Sequence, residues 1–244
     1  VPGVSITMSS VVEARPAGTA VLLCDEDDCL KVLLLKRNPK LAFAGGVWVF
    51  PGGAVDKTDY NDTSINTCSL ARVAAKREAF EECGLTVSED TLHHFCKWTT
   101  PVEEKKRFCT WFFVGSVTLN NSKIKVDGSE ILDYKWLSPL DAILEHQRGS
   151  LNLMPPTYMV LSLLTHFPNV ASALDNLSNR EPYDVCPKMS ADSESWLCLY
   201  PGDAGYEKGD PNIDGARHRT HYDTKGIQYV HSGADVGYPA MNLP

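Results

Sequence analysis

The chain has 244 residues, of which 43% are hydrophobic and 22% charged, with a formal net charge of −8. That length can bury a full core as one generous domain or as a domain with a substantial extension. An acidic chain lacks the basic stripe that phosphate-backbone binding needs, so nucleic acid is excluded as a general partner. Eight cysteines without a C-x-x-C pair argue against a zinc ribbon or a redox dithiol, and they read as reduced, Cys24 and Cys29 included.

Thr19–Cys24 and Cys29–Leu35 are short apolar, β-branched runs around Asp25-Glu26-Asp27-Asp28, and they read as a buried hairpin with a four-residue acidic turn. Lys36-Arg37-Asn38-Pro39 ends the second strand, and residues 41–49 cross to the turn Phe50-Pro51-Gly52-Gly53. The polar segment 54–68 reads as an enlarged loop. After it comes R-V-A-A-K-R-E-A-F-E-E-C-G-L, residues 72–85, with Glu78, Glu81 and Glu82 at offsets 0, 3 and 4. On a helix these three fall within an arc of roughly 100°. Val73, Ala79, Phe80 and Cys83 read as the sheet-packing face, and Gly84 as a left-handed stop. Three carboxylates so close call for a cation, and hard divalent ions suit oxygen ligands and phosphate substrates.

Residues 95–98, 108–114, 117–119 and 134–137 read as strands, and Ser138-Pro139 as the capped start of a helix running to His146. A second helix is expected from Pro155 to Phe167, with Tyr158, Leu161 and Leu164 at helical spacing. Residues 178–215 read as irregular, with a strand at 196–200, and 217–231 as a terminal hairpin. The fold class is α+β, a mixed sheet between helices, with a domain over residues 1–150 and an extension over 151–244 packed on it. No charged-then-apolar leader, no run of 18 apolar residues and no Ser-Lys-Leu ending is present, so a soluble cytoplasmic protein without a membrane partner is expected.

R-E-A-F-E-E-C-G-L resembles the core of the Nudix hydrolase signature, G-x5-E-x7-R-E-U-x-E-E-x-G-U, where U is a bulky aliphatic residue. Arg77, Glu78, Glu81, Glu82, Gly84 and Leu85 match. Gly53 lies twenty-four residues before Arg77 where the pattern has fourteen, and Ser69 stands where counting back from Arg77 puts the first Glu, so ten residues are inserted. The resemblance implies Mg²⁺- or Mn²⁺-dependent cleavage of a nucleoside-diphosphate derivative. It implies Glu78, Glu81 and Glu82 as metal ligands, Arg77 as an orienting partner and Glu78 or Glu130 as the base, with Glu103 a weaker candidate for the latter.

Leu33-Leu34 through Arg37 and Gly46-x3-Phe50-Pro51-Gly52-Gly53 is similar to the coenzyme A motif of the peroxisomal-type CoA diphosphatase branch, although Ala42 replaces its second Arg. That similarity implies CoA or acyl-CoA as substrate, contacted by Arg37, Phe50, Gly52, Gly53, Lys105 and Arg107. ADP-ribose or a dinucleotide is the alternative substrate, and a non-catalytic binding module the third reading. A small nucleotide is the expected partner, and a homodimer is left open.

Overall fold

The structure is a computed structural model that describes residues 12–42, 44–60, 66–118, 124–192, 195–223 and 226–235. In chain order the elements are β1 (Arg15–Glu26), β2 (Cys29–Arg37), β3 (Trp48–Val49), β4 (Gly52–Ala54), α1 (Thr67–Cys83), β5 (His93–Thr99), β6 (Phe108–Ser116), β7 (Ile131–Leu137), α2 (Pro139–Gln147), α3 (Pro155–Leu164), α4 (Val170–Ser178), β8 (Tyr183–Val185), β9 (Lys188–Asp192), β10 (Ser195–Leu199), β11 (Arg217–Asp223) and β12 (Gly226–Ser232). The first eight strands in sheet order run β3-β2-β1-β6-β5-β8, with β4 beside β1 and β7 beside β2. Because β1 is parallel to β6 and antiparallel to β2 and β4, this sheet is mixed, as expected.

The central strands are buried on both faces, which explains their continuous apolar runs. Ala20 and Leu22 face α1, while Val21 and Leu23 face a core shared by α2, α3 and α4. The β1–β2 turn is tighter than expected. Asp27 and Asp28 are its two residues, both at positive φ (52° and 58°), the geometry that matches strand twist in a two-residue hairpin.

Helix α1 starts at Thr67, capped by the Asn66 side chain, so Thr67 and Cys68 belong to the helix and not to the preceding loop. Its buried face differs from the expected one. Leu70, Ala71, Ala74, Ala75, Ala79 and Cys83 are buried, Val73 is half-buried and Phe80 is 61% exposed. The reason is close approach: a Cβ on Gly18 of β1 would overlap the Ala71 carbonyl, so only small side chains fit beneath the helix. Gly84 ends it at φ 72°, as expected.

Further along, β6 runs to Ser116 and Val117 only extends its pairing through an N–H to the Leu23 carbonyl, so no separate strand starts at Val117; Leu119 lies outside the described residues. Helix α3 ends at Leu164, and α4, capped by Asn169, follows it unannounced. Residues 178–215 are more regular than expected. They hold β8, which pairs parallel with β5 in the main sheet, and two strands of a second, antiparallel sheet ordered β12-β11-β10-β9. Tyr200 and Ile227 from that region share the core that α2–α4 make with the main sheet. All eight cysteines are free.

Candidate active site

The turn Phe50-Pro51-Gly52-Gly53 is laid between β1 and α1 by main-chain bonds, the Ala20 N–H donating to the Pro51 carbonyl at 2.8 Å. The Gly52 N–H donates to Glu82 Oε2 at 2.9 Å. A Cβ on Gly52 would strike the Gly18 carbonyl and Thr19, and one on Gly53 would strike the Glu78 carboxylate. Both glycines are therefore required for two carboxylates to stand against the turn. Glu82 is only 4% exposed, and burial pushes its carboxyl up to about 8 despite the Gly52 N–H. Burial also raises Glu78, against the pull of Arg77.

Arg77 organises the rest of the helix face. Its Nε and Nη2 form a fork on Asp59 (2.9 and 3.1 Å), Nη2 also donates to the Ala54 carbonyl, and Nη1 donates to Glu78 Oε1 at 2.8 Å and Glu81 Oε2 at 2.9 Å. The Asp59 fork is the main reason the guanidinium holds its proton even more tightly than usual. Asp59 is 1% exposed and sits in a 3-10 turn, Lys57–Asp59, closed by a reciprocal cap with Asp56. Sequence reasoning missed it by counting back from Arg77 to Ser69. Counting six residues forward from Gly53 reaches Asp59, so the G-x5-acid half of the signature is intact and the insertion falls between Asp59 and Arg77.

Glu130 faces this floor from another loop. Asp127 accepts from the N–H groups of Ser129, Glu130 and Ile131, which fixes the loop, and Arg37 Nη2 meets Glu130 Oε1 at 2.6 Å. Arg37 Nε is buried without a protein partner. Arg37, Phe50, Gly52, Gly53, Glu78 and Glu130, dispersed over 94 positions, line one cleft of about 720 Å³. Trp98, Phe112, Met154, Met189 and Trp196 give the same cleft apolar walls, and Glu104 lines it as well.

Two expected substrate contacts are not brought there. Arg107 is buried and donates to the carbonyls of Thr100, Pro101 and Val12, so its guanidinium pins the strand start and is not available to a phosphate. Lys105 is exposed and does not line the cleft, and neither does Glu103. Lys106 and Arg15 do line it, grouped about Phe108, whose Cα partner in β1 is Arg15 and whose ring lies 5.4 Å from Lys106 Nζ. No sequence signal singled out Arg15.

Among the described residues no three His, Cys, Asp or Glu side chains converge as a ready ligand set, because Arg77 Nη1 stands between Glu78 and Glu81. The candidate ligands Glu78, Glu81 and Glu82 nevertheless offer only carboxylate oxygens. That donor chemistry fits a hard divalent cation.

A NUDIX domain model matches residues 14–155, and the chain belongs to the Nudix family of hydrolases. It is 28% identical over 209 residues to the Caenorhabditis elegans protein named "Putative nudix hydrolase 7", covering 71% of this chain and 64% of that protein. It is 22% identical over an alignment of 283 positions to Acyl-coenzyme A diphosphatase NUDT19 of Xenopus laevis, covering 77% of this chain and 74% of that one. The crystal structure of a NUDIX hydrolase from Alicyclobacillus acidocaldarius superposes with a TM-score of 0.60 at 22% identity, over 70% of this chain and all of that one, which supports the fold. Among the described residues no helix is long and apolar enough to cross a membrane.

Proposed function

We propose that the cleft hydrolyses the diphosphate linkage of CoA or an acyl-CoA, giving 3',5'-ADP and (acyl-)phosphopantetheine. The observation that carries this reading is the chemical asymmetry of the cleft. A carboxylate floor suited to diphosphate chemistry continues into an apolar wall suited to a long thioester-bearing arm, with Arg15 and Lys106 on its lining. The printed name of the Xenopus relative points the same way.

Hydrolases of this family generally use divalent metal ions. Mg²⁺ or Mn²⁺ held by Glu78, Glu82 and Glu81 would neutralise the diphosphate charge and acidify the attacking water. Glu81, bonded to Arg77 Nη1, would have to exchange that partner to be a ligand, while the Asp59 fork would hold the guanidinium. Glu130 takes the proton of the water that attacks phosphorus, and the P–O–P bridging bond breaks. Arg37, bonded to Glu130, contacts the diphosphate, and Arg15 with Lys106 binds the 3'-phosphate.

The test is a comparison of CoA, 3'-dephospho-CoA, ADP-ribose, a dinucleotide and nucleoside triphosphates with Mg²⁺ or Mn²⁺, the products identified by mass. CoA is expected to be cleaved in preference to 3'-dephospho-CoA, and Arg15→Ala to lose that preference by about 1–3 kcal/mol, the scale of one charge-assisted contact. Cleavage of ADP-ribose with none of CoA overturns the substrate.

A further inference from the structure

A second cavity, of about 370 Å³, lies between the second sheet and the loop that enters α3. Val47, Leu153, Tyr222 and Ile227 form its far walls. Met154, Pro155, Trp196 and Cys198 line both this cavity and the main cleft, so the two adjoin there. Trp196 is 57% exposed, unusual for so large an apolar side chain, and it stands at the junction. At the cavity's edge the Tyr222 hydroxyl donates to Asn152 Oδ1 at 2.9 Å.

No Lys, Arg, Asp or Glu lines this cavity, and burial and Arg219 lower the proton affinity of its one imidazole, His221. A phosphate placed there would meet no Lys or Arg side chain, whereas a polymethylene chain needs none. At about 30 Å³ for each methylene, near the volume of a liquid water, the space takes a chain on the order of ten carbons.

We propose that this cavity receives the acyl chain of an acylated substrate whose nucleotide end occupies the carboxylate cleft, with Trp196 at the passage between them. The proposal rests on the nucleotide reading above and adds a determinant of chain length. One wall comes from residues 153–155 and the other from the second sheet, so the C-terminal region is what selects the acyl group.

Two measurements test it. In the first, kcat/KM is determined for CoA, acetyl-, octanoyl-, dodecanoyl- and hexadecanoyl-CoA in the wild type and in Tyr222→Glu, which puts a charge into the far wall. The wild type is expected to improve with length to about ten carbons and then level, and Tyr222→Glu to reduce the octanoyl-to-acetyl ratio about tenfold. The second measurement follows decanoate binding to the full chain by tryptophan fluorescence, which requires no hydrolysis.

Length-independent turnover together with no saturable decanoate binding overturns the proposal. Decanoate binding that Tyr222→Glu weakens, in a chain that cleaves no CoA, upholds the acyl site while removing the nucleotide reading. If circular dichroism shows Tyr222→Glu unfolded, Trp196→Ala is expected to flatten the same length dependence, and an unaltered dependence in that variant overturns the proposal.

Discussion

Two buried aspartate–arginine forks, one near α1 and one in the second sheet, have the same geometry and different consequences. Asp203 accepts both arms of Arg219 at 2.6 and 2.7 Å and also the N–H groups of Gly205 and His218, while the remaining Arg219 nitrogen donates to the Pro211 carbonyl. Burial pushes the Asp203 carboxyl up, but these donors together outweigh it and hold it below its usual range. The partners there all belong to the second sheet and the loop 203–211 that leads into it. Asp59 grips Arg77 in the same way, yet Arg77 Nη1 is left to bridge Glu78 and Glu81 at the cleft. A fork whose guanidinium also reaches the carboxylates of a helix face becomes part of a site, and one that ties only its own loop and strand together becomes a strut.

The sharpest test of that contrast lies at the carboxylates on the α1 side. Glu81→Gln or Glu82→Gln is expected to lower kcat by at least about a hundredfold, the scale of a lost electrostatic contribution in catalysis, with little change in unfolding temperature. Steady-state turnover at saturating Mg²⁺ or Mn²⁺ checks this, and near wild-type rates would remove the α1 face from the chemistry. In the same assay Glu130→Gln is expected to lower kcat while metal affinity stays put. Unchanged activity there would return the base to the helix, with Glu78 the first choice.

Next come the forks themselves. Asp203→Asn leaves Arg219 buried beside a neutral amide and is expected to cost about 3 kcal/mol, or roughly 10 °C in Tm, while the folded fraction keeps its kcat. Asp59→Asn should reverse the pattern. With 22% of the Arg77 side chain exposed, its stability loss is smaller, and the main effect is about a tenfold fall in kcat as the guanidinium drifts from Glu78 and Glu81. Thermal melts and turnover measured on both variants decide, and equal effects on both quantities would dissolve the distinction between site and strut.

The smallest effect is in the pH dependence of the metal-free protein. Glu82 holds its proton to about 8 when folded, against an ordinary value of 4.5. Its contribution to stability is complete below the lower value and declines as pH rises toward the upper one, by up to about 1.4 kcal/mol per pH unit. Glu82→Gln has no proton to lose at this position. In EDTA the urea midpoint of the wild type is therefore expected to fall relative to Glu82→Gln between pH 5.5 and 7.5, and parallel midpoints would contradict the burial assigned to Glu82.

What was legible in the sequence is local. The spacing of Glu78, Glu81 and Glu82, the stop at Gly84, the cap at Ser138-Pro139 and the existence of a hairpin around the acidic run 25–28, though not its two-residue turn, follow from backbone geometry over a few residues, which is the same wherever such a pattern occurs. The glycine turn was legible through the signature and its spacing, and Glu130 was a candidate only through the family resemblance.

What only the tertiary structure decided is contact between distant segments. Helix α1 buries its alanines and turns Phe80 outward because Gly18, some fifty positions earlier, lets the two backbones touch. Arg107, expected at the substrate, is instead enclosed by three carbonyls, including that of Val12, while Arg15, which no local pattern marked, lines the cleft. Asp59 finds Arg77 across an insertion whose length disguised the pairing. A charge in a sequence states what a side chain can bind; which partner reaches it first is set by packing, and packing joins residues that no local spacing relates.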